Sequence, residues 1–536
     1  MSDSLGLFTL QKWLDPSNPP ATNQPISDNT GWQNIKTDIA STARSYQDSS
    51  PVPVIYRLKQ TTANGVVIPY PVKPLSASSP GSAVWTQTYG GTRYDSGKRV
   101  TTDSAGNIYT GGLFQGLNID FTSDKTGSGA QLLSSGNSGN NIDVFVAKYN
   151  SSRVLQWAKN LGVSGAMGAI AVEANGNIWV AGQFFPGPLI KLDSNGNTLW
   201  SGPTGVGNGG FTGVALDSTG KVFVSGTYSG SAPWIDGGFP QGNLNSMFAK
   251  FLNDGTVVFA RNFETTPLTG GADQCLGIGV DKRINPNTQQ PYNTVLLSGV
   301  FNGALNFGNG TTNLSSNLPN RPPGSPGRSG YIAKFDNDGL CQWRGLAGSE
   351  VTPQDSIIPQ CSYVDSNGDI LVGGGFNQLC EWGGVRQQGM SSGQDAYIAK
   401  FSGVDGHYLW SRFGILNAAA PSANSSAFQA ITTDAQGNVY GAGEISDNII
   451  FNGLTINSGN ALNYDGFIVK YSSSGTIQWL KQLSGAGTEQ FFGICVNPQG
   501  NPIAIGDITS NDSRYDLGPI IPRAGSTEIV LIKINP

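Results

Sequence analysis

The chain has 536 residues, only 12% of them charged, and a formal net charge of −5. Nucleic-acid binding needs clustered Lys and Arg, and no run of basic residues occurs, so a nucleic-acid partner is not expected. No stretch is long and apolar enough to span a membrane as a helix. The residues after Met1 contain neither a basic region nor a sustained apolar region, so no secretory signal is expected.

The first 82 residues lie outside the repeats described below, and we expect an irregular N-terminal arm with a short helix. Apolar spacing predicts that helix from Trp32 to Tyr46, with an N-cap within Asp28 to Thr30, and a shorter helix over Leu7 to Leu14. The arm has too little mass to bury its own aromatic residues. We therefore expect it to dock on a partner chain, although packing on the rest of its own chain is the alternative. The residues expected to form this docking surface are Phe8, Trp13, Trp32, Ile35, Ile39 and Tyr46.

A two-hairpin pattern repeats through residues 83–536. Its first half is VTTDSAGNIYTGG at 100–112, and it returns at 170–182, 214–226, 431–443 and 494–506. Its second half is DVFVAKY at 143–149 followed by LQW at 155–157, with copies that begin at 330, 395 and 465. Runs of Val, Ile, Tyr and Phe joined by glycine-containing turns are typical of β-hairpins. Each repeat therefore predicts a four-stranded antiparallel sheet, with strands A to D.

The number of repeats predicts an all-β, seven-bladed β-propeller. Six D strands are marked by an aromatic residue: Trp157, Trp200, Phe259, Trp343, Trp410 and Trp479. The seventh repeat ends after its C strand, and the missing D strand is expected at residues 83–90, where Trp85 has the matching position. This N-terminal strand would close the ring and remove exposed sheet edges. The recurring aromatic residues are expected to wedge between neighbouring blades.

The signatures D-x-F-x-A-K-[YF] and D-x-x-G-N-[IV]-[YW]-x-x-G resemble those of the SBBP family of seven-bladed propeller repeats, over roughly residues 84–536. The resemblance implies the propeller fold, and it implies little about activity because propellers have many functions. Two places depart from the pattern. The fourth repeat has a longer turn at residues 281–293, and the second has a very short connection at residues 184–188.

The connections predict a difference between the two ends of the sheets. Most A–B and C–D turns are short, whereas most B–C connections are long and varied, as binding loops on a rigid scaffold often are. Aromatic residues in these connections could hold sugar rings or a protein partner, or could instead cover the blade edges. The candidate ligand residues are Phe184, Phe185, Tyr228, Trp234, Phe239, Phe376 and Trp382.

Catalytic chemistry finds little support in the sequence, and we expect no catalytic, cofactor-binding or metal-binding residue. The only histidine is His407, in a turn, and a catalytic triad would have to use it. The five cysteines do not have zinc-site spacing and are expected to be mostly buried thiols, with a disulfide or two as the alternative. The Asp and Gly residues of the D-x-x-G-N turns are expected to form the hairpin turns, with calcium binding as the alternative. The sequence also leaves open a pair of catalytic carboxylates like that of a glycosidase.

These features predict a non-enzymatic structural and binding protein of a large assembly, namely a phage virion component in a tail, fibre or capsid-decorating position. The arm would bind other subunits, and the long-loop face would be free for a host-surface glycan or protein. Two alternatives stay open. One is a bacterial surface or secreted adhesin or lectin of the SBBP type, and the other is a glycan-degrading propeller enzyme.

Overall fold

The computed structural model describes most of the chain beyond residue 79 and four short segments before it. The described residues are 8–13, 32–39, 56–61, 67–69, 79–122, 132–184, 187–204, 208–229, 234, 245–266, 273–308, 314–315, 329–347, 357–377, 379–389, 393–416, 425–446, 448–458, 463–509, 513–515, 518–520 and 527–536. Contacts divide the chain into two compact units, residues 1–82 with Asn535 and residues 83–534 with Pro536.

The first unit contains a four-stranded antiparallel sheet. Its strands are Phe8–Trp13, Trp32–Ile39, Tyr56–Thr61 and Val67–Pro69. Strand Phe8–Trp13 pairs with both Trp32–Ile39 and Tyr56–Thr61, so Trp32–Ile39 is an edge of the sheet as described.

The two helices predicted in this unit are therefore wrong where the structure describes them. Ile35, Thr37 and Ile39 alternate along Trp32–Ile39, and such β-branched residues at period two favour a strand. The apolar residues also fit a helical spacing, which is the ambiguity of a short segment. Tyr46 lies outside the described residues.

Seven antiparallel sheets with the same strand order, A–B–C–D, build the second unit. The A strands are Asp95–Thr102, the second half of Leu155–Val172, Asn208–Leu216, Gln274–Asp281, Ile357–Val364, Ser426–Thr433 and Glu489–Val496. The B strands are Ile108–Phe114, Ile178–Phe184, Val222–Ser229, Thr294–Phe301, Ile370–Phe376, Val439–Ile445 and Pro502–Ile508. The C strands are Asp143–Tyr149, Leu189–Leu192, Asn245–Phe251, Ser329–Phe335, Asp395–Phe401, Asp465–Tyr471 and Glu528–Ile534. The D strands are the first half of Leu155–Val172, Thr198–Gly202, Val257–Thr266, Cys341–Ala347, Tyr408–Leu416, Ile477–Ser484 and Ala83–Tyr89. We number the sheets one to seven in the order of their A strands.

The seventh sheet joins the two ends of this unit. Strand Ala83–Tyr89 pairs antiparallel with Glu528–Ile534, with Trp85 opposite Lys533. The predicted pairing of this N-terminal strand with the last C strand is thus present. The pairing continues beyond one end of these two strands. The amide of Gly81 donates to the carbonyl of Asn535 at 3.0 Å, and the amide of Asn535 donates to the carbonyl of Ser82 at 2.9 Å.

The hydrophobic core lies between consecutive sheets. Seven buried clusters each combine residues of two sheets that follow one another. One of them joins the seventh sheet to the first, with Ile505 and Ile529 packed beside Val100 and Phe145. Because one sheet cannot bury both of its faces, each sheet needs its neighbours to be stable.

Short hairpins inside the B–C connections form additional strands. They are Ile119–Asp120 with Leu132–Leu133, Ala304–Asn306 with Leu314–Ser315, Leu379–Trp382 with Val385–Gln388, Ile449–Phe451 with Leu454–Ile456, and Arg514–Tyr515 with Gly518–Pro519. The hairpins of sheets four, six and seven pair with the D strand of the preceding sheet. They therefore cover the outer edges of these sheets. A single helical turn, Gly136–Gly139, lies in the connection of sheet one.

We name the two ends of the sheets by their connections. The turn face carries the A–B and C–D turns, and the loop face carries the B–C and D–A connections. No described helix is long and apolar enough to cross a membrane.

Candidate functional site

The signature lysine holds the turn face together. In every sheet it stands directly opposite the D-strand aromatic residue, from Lys148 and Trp157 in sheet one to Lys533 and Trp85 in sheet seven. Several of these ammonium groups reach the C–D turn of the following sheet. Lys191 donates to the carbonyl of Asn253 at 2.7 Å and also pairs with Glu173 at 2.9 Å. These lysines therefore tie neighbouring sheets together.

The D-strand aromatic residues wedge between sheets, as expected. The Trp157 indole nitrogen donates to the carbonyl of Ser194 at 3.0 Å, in the next sheet, and Trp410 does the same to Ser473 at 3.1 Å. At Gly196, whose φ is +80°, a Cβ atom would come within 2.8 Å of the Trp157 ring. The turn needs glycine both for its backbone conformation and for this close approach.

The aspartates of the D-x-x-G-N turns bond to their own turns. Asp103 Oδ1 accepts the amides of Ala105 and Asn107 at 3.0 and 2.9 Å, and its Oδ2 accepts the Asn107 side chain at 2.7 Å. Asp434 repeats this arrangement in sheet six. The hairpin role explains these carboxylates fully, because local side-chain bonds of this kind close tight turns.

Four of the candidate ligand residues are buried, so that part of the predicted ligand surface is wrong. Phe184, Tyr228, Phe376 and Trp382 are at most 5% exposed and belong to the clusters between sheets. Trp234 is half-buried and packs edge-on against Phe211 and Tyr228. Phe185 and Phe239 lie outside the described residues. The candidate aromatic residues that the structure describes thus cover the sheets, which was the alternative interpretation.

Reactive side chains are accounted for by other roles. His407 is exposed in a C–D turn, where its Nδ1 lies 2.6 Å from Asp405 Oδ1. All five cysteines are free thiols, and burial raises the pKa of Cys275, Cys361 and Cys495 to about 12. Thiols of such high pKa are poor nucleophiles. The described residues contain no group of three or more His, Cys, Asp or Glu side chains that could hold a metal ion.

The A strands of all seven sheets line a central channel. Each A strand has a β-bulge at the same place in the repeat. The residues at the bulges are Lys98, Gly168, Thr212, Leu276, Gln360, Gln429 and Phe492. Bulges re-aim backbone groups, and here they form a ring around the channel, which we call the bulge ring.

The position after the bulge carries a small residue in six sheets and an arginine in one. The small residues are Ala169, Gly213, Gly277, Cys361, Ala430 and Gly493, and the seventh is Arg99. The Arg99 guanidinium bonds to backbone carbonyls of the bulge ring: Nε to Gly168 at 2.5 Å, and Nη1 to Lys98 at 2.8 Å and Phe492 at 3.1 Å. Three sheets are therefore joined by one side chain. Sequence reasoning missed Arg99, although aligning the seven repeats would have shown it.

Arg99 lies between two cavities of the channel. The smaller one, about 160 Å³, is lined by the bulge ring except Lys98. The larger one, about 860 Å³, extends from Arg99 along the ends of the A strands toward the turn face, and we call it the turn-face cavity. The two cavities meet at this level of the A strands, where both are lined by Arg99, Val100, Val214, Ile278, Ser362, Ile431 and Ile494.

A cluster of charged residues lies near the loop-face end of the A strands. Lys98 Nζ is 3.5 Å from Asp507 Oδ2 and 3.5 Å from the centre of the Phe492 ring. Asp507 also accepts bonds from the Ser96 hydroxyl at 2.6 Å and the Gly97 amide at 2.8 Å. Burial raises the pKa of Asp507 and lowers the pKa of Lys98, and the ion pair opposes both shifts. This cluster is satisfied internally, and it joins the first sheet to the seventh.

No family model and no curated protein matches the sequence. Three similar solved structures are a virginiamycin B lyase from Staphylococcus aureus, an ulvan lyase of polysaccharide lyase family 25, and the C-terminal WD40 domain of Sif2. Their TM-scores are 0.39, 0.40 and 0.37, each at 10% identity. They cover 84%, 82% and 85% of this chain, and 99%, 97% and 99% of their own. Similarity at this level carries no conclusion about activity.

Proposed function

We propose that residues 83–536 form a seven-bladed propeller ring closed by strand Ala83–Tyr89. The pairing of this strand with Glu528–Ile534 supports closure, as does the cluster that packs the seventh sheet on the first. The turn-face contact also repeats at this junction. Arg153, with a φ of +71°, takes the place of the turn glycine and lies 5.3 Å from the Trp85 ring. We keep the hypothesis that this ring is of the SBBP type.

We further propose that the protein is a non-enzymatic structural and binding component of a large assembly, such as a phage virion. The repeated charged and aromatic residues are engaged in contacts between sheets, which supports a scaffold role. The ring would be the rigid body, and its loop face would be available to a host-surface glycan or protein.

The observation that carries this proposal is the separate N-terminal unit. It has its own four-stranded sheet, and strand Trp32–Ile39 lies at an edge of that sheet as described. An edge strand presents backbone groups to which a strand of another chain can pair. We therefore propose that the first unit anchors the protein to another subunit, with Trp32–Ile39 at the contact.

Incorporation into particles tests the proposal. Full-length protein carrying Trp32→Ala and Ile39→Ala would be produced in the source cells, and particles would be purified on a density gradient. We expect the wild-type chain to sediment with the particles and the double variant to stay in the soluble fractions. The matched control is Gln33→Ala with Asn34→Ala in the same strand, which should be incorporated normally.

Circular dichroism and thermal melting would show that each variant keeps a folded ring. Incorporation of the Trp32 and Ile39 variant at the wild-type level would contradict anchoring by this strand. A wild-type chain that fractionates with cells or as free protein would contradict the assembly role, and it would turn attention to a surface adhesin.

A further inference from the structure

We propose that the turn-face cavity binds an organic anion with an apolar body, whose acid group pairs with Arg99. This inference concerns the channel and does not depend on the proposed anchoring role. It rests on an unmatched charge at the inner end of the cavity, on the walls of the cavity, and on an asymmetric mouth.

Arg99 has more hydrogen-bond donors than the described residues accept. A guanidinium has five N–H groups and no acceptor. Three of them reach the carbonyls of Gly168, Lys98 and Phe492. The two N–H groups of Nη2 have no acceptor within the part of the chain that the structure describes. A carboxylate, sulfonate or phosphate oxygen in the cavity could accept them.

The positive charge of Arg99 is not paired with a negative charge among the described residues. Arg99 forms no salt bridge within the described ranges, and the titratable group that acts on it electrostatically is the Cys361 thiol. Burial lowers the pKa of Arg99, which reflects the cost of keeping a cation out of water. Arg99 is half-buried, so its guanidinium is only partly hydrated, and an anion beside it would be stabilised.

Most of the other charged groups around the cavity are paired with groups of the protein. Asp365 pairs with Lys400 at 2.7 Å, and Arg283 pairs with Asp281 at 2.8 Å. Asp434 accepts bonds from Asn438 and from the Tyr440 hydroxyl. Lys282 is the exception, because it forms no salt bridge within the described residues and the Asp217 carboxylate acts on it only electrostatically. Arg99 is therefore the unpaired cation at the inner end of the cavity.

The walls determine what kind of anion fits. Aliphatic side chains recur around the cavity at the ends of the A strands: Val172, Leu216, Val280, Val364 and Val496. Its volume of about 860 Å³ is in the range of small-molecule sites, and polar residues such as Thr102 and Thr433 share the walls with the aliphatic ones. An apolar body carrying one acid group matches this arrangement better than a small hydrated ion does.

The mouth of the cavity is asymmetric on the side of the fourth sheet. The A–B connection of that sheet is longer than the other A–B turns and carries Ile284 and Tyr292, which are 54% and 37% exposed. Arg283, which lines the cavity, lies 5.3 Å from the Tyr292 ring. These residues would contact the outer part of a ligand whose acid group lies on Arg99.

Two fluorescent probes with the same aromatic body test the proposal on the full-length protein. Anilinonaphthalene sulfonate carries an anionic group, and N-phenylnaphthylamine does not. We expect the wild-type chain to bind the sulfonate roughly tenfold or more tightly than the neutral probe, as one charge-assisted hydrogen bond allows. Arg99→Gln should abolish this preference.

The matched control is Arg412→Gln. Arg412 also bonds to backbone carbonyls, of Gly475 and Ser411 at 2.5 Å each, but it lies on a D strand outside the channel. This variant should keep the wild-type preference. Ala215→Trp, which places a large side chain at the cavity wall, should weaken both probes.

Circular dichroism and melting temperature would establish that each variant is folded before binding is compared. The proposal is overturned if the wild type binds both probes equally or binds neither. It is also overturned if Arg99→Gln keeps the preference for the sulfonate. If Arg99→Gln does not fold, unchanged binding of both probes to Ala215→Trp would overturn the proposal.

Discussion

At the residue scale, four D-strand tryptophans pack against a turn glycine of the next sheet, namely Trp157, Trp200, Trp343 and Trp410. Trp410 stands opposite Lys400, donates to the carbonyl of Ser473, and leaves no room for a Cβ atom on Gly475. We expect Trp410→Ala to lower the free energy of unfolding by about 3–5 kcal/mol, because it removes a large buried side chain. Urea denaturation would measure this.

The neighbouring Leu409 is the matched control, because its side chain is 39% exposed. Leu409→Ala should change the unfolding free energy by no more than about 0.5 kcal/mol. An equally small effect of Trp410→Ala would show that the tryptophan is not part of the structural wedge.

A second prediction concerns the buried carboxyl group of Asp95, at the start of the first A strand. Burial raises its pKa to about 7, although the amide of Gly91 donates to it at 2.6 Å. In the unfolded chain the pKa is about 3.9. Folding therefore favours the protonated form, and the stability it contributes is complete below about pH 4 and is lost as the pH rises through 7.

Asp95→Asn should remove this dependence on pH. Between about pH 4 and pH 7, the wild type should lose more unfolding free energy than the variant, and above pH 7 the two curves should run parallel. Urea denaturation at several pH values would measure the difference. Parallel curves throughout this range would mean that Asp95 ionises normally in the folded state.

Some residue roles could be read from the sequence and others could not. The D-strand tryptophans recur at one repeat position, and recurrence indicates a structural role. Arg99 is informative for the opposite reason, since it is large where six equivalent residues are small. The role of Arg99 depends on the channel, where A strands of neighbouring sheets come together. The sequence pattern of one strand does not reveal which strands lie beside it.

At the scale of elements, the B–C hairpins change the interpretation of the long connections. The strands of these hairpins have two to four residues, too few for a period to be recognised in the sequence. The hairpins of sheets four, six and seven pair with a D strand that is distant along the chain, so their partner is also not visible locally. Four of the aromatic residues that suggested a ligand face, Phe184, Tyr228, Phe376 and Trp382, are core residues.

Phe451 offers a test of this edge-covering role. It lies opposite Gly414 of the fifth D strand, and its ring is 5.8 Å from Phe428 and 5.1 Å from Phe467. We expect Phe451→Ala to cost about 3–5 kcal/mol of unfolding free energy. It should also speed hydrogen exchange at the end of strand Tyr408–Leu416.

Leu454, on the other strand of this hairpin, is 42% exposed and supplies the control. Leu454→Ala should leave both stability and hydrogen exchange nearly unchanged. Unchanged exchange in Phe451→Ala would indicate that the hairpin does not protect the D strand.

At the scale of the whole molecule, the repeat made the seven sheets predictable. Each copy carries its own turn residues and its own alternation of apolar residues. A strand that is ambiguous in one copy can therefore be assigned from the other copies. The N-terminal unit has no such redundancy. Strand Phe8–Trp13 pairs with Trp32–Ile39 and Tyr56–Thr61, which are separated from it by 18 and 42 residues. A single short apolar segment there also fits both a helix and a strand.

The proposed closure of the ring gives the last prediction. Strand Ala83–Tyr89 covers the edge of Glu528–Ile534, and no other described strand pairs with that edge. Deleting residues 83–90 should lower the melting temperature and cause association that grows with protein concentration, because an unpaired edge is a template for further strands. Trp85→Ala is the matched control, since it removes the wedge but keeps the strand. It should lower stability without causing association, as analytical ultracentrifugation would show. A deletion variant that melts like the full chain and stays monomeric would rule out closure by this strand.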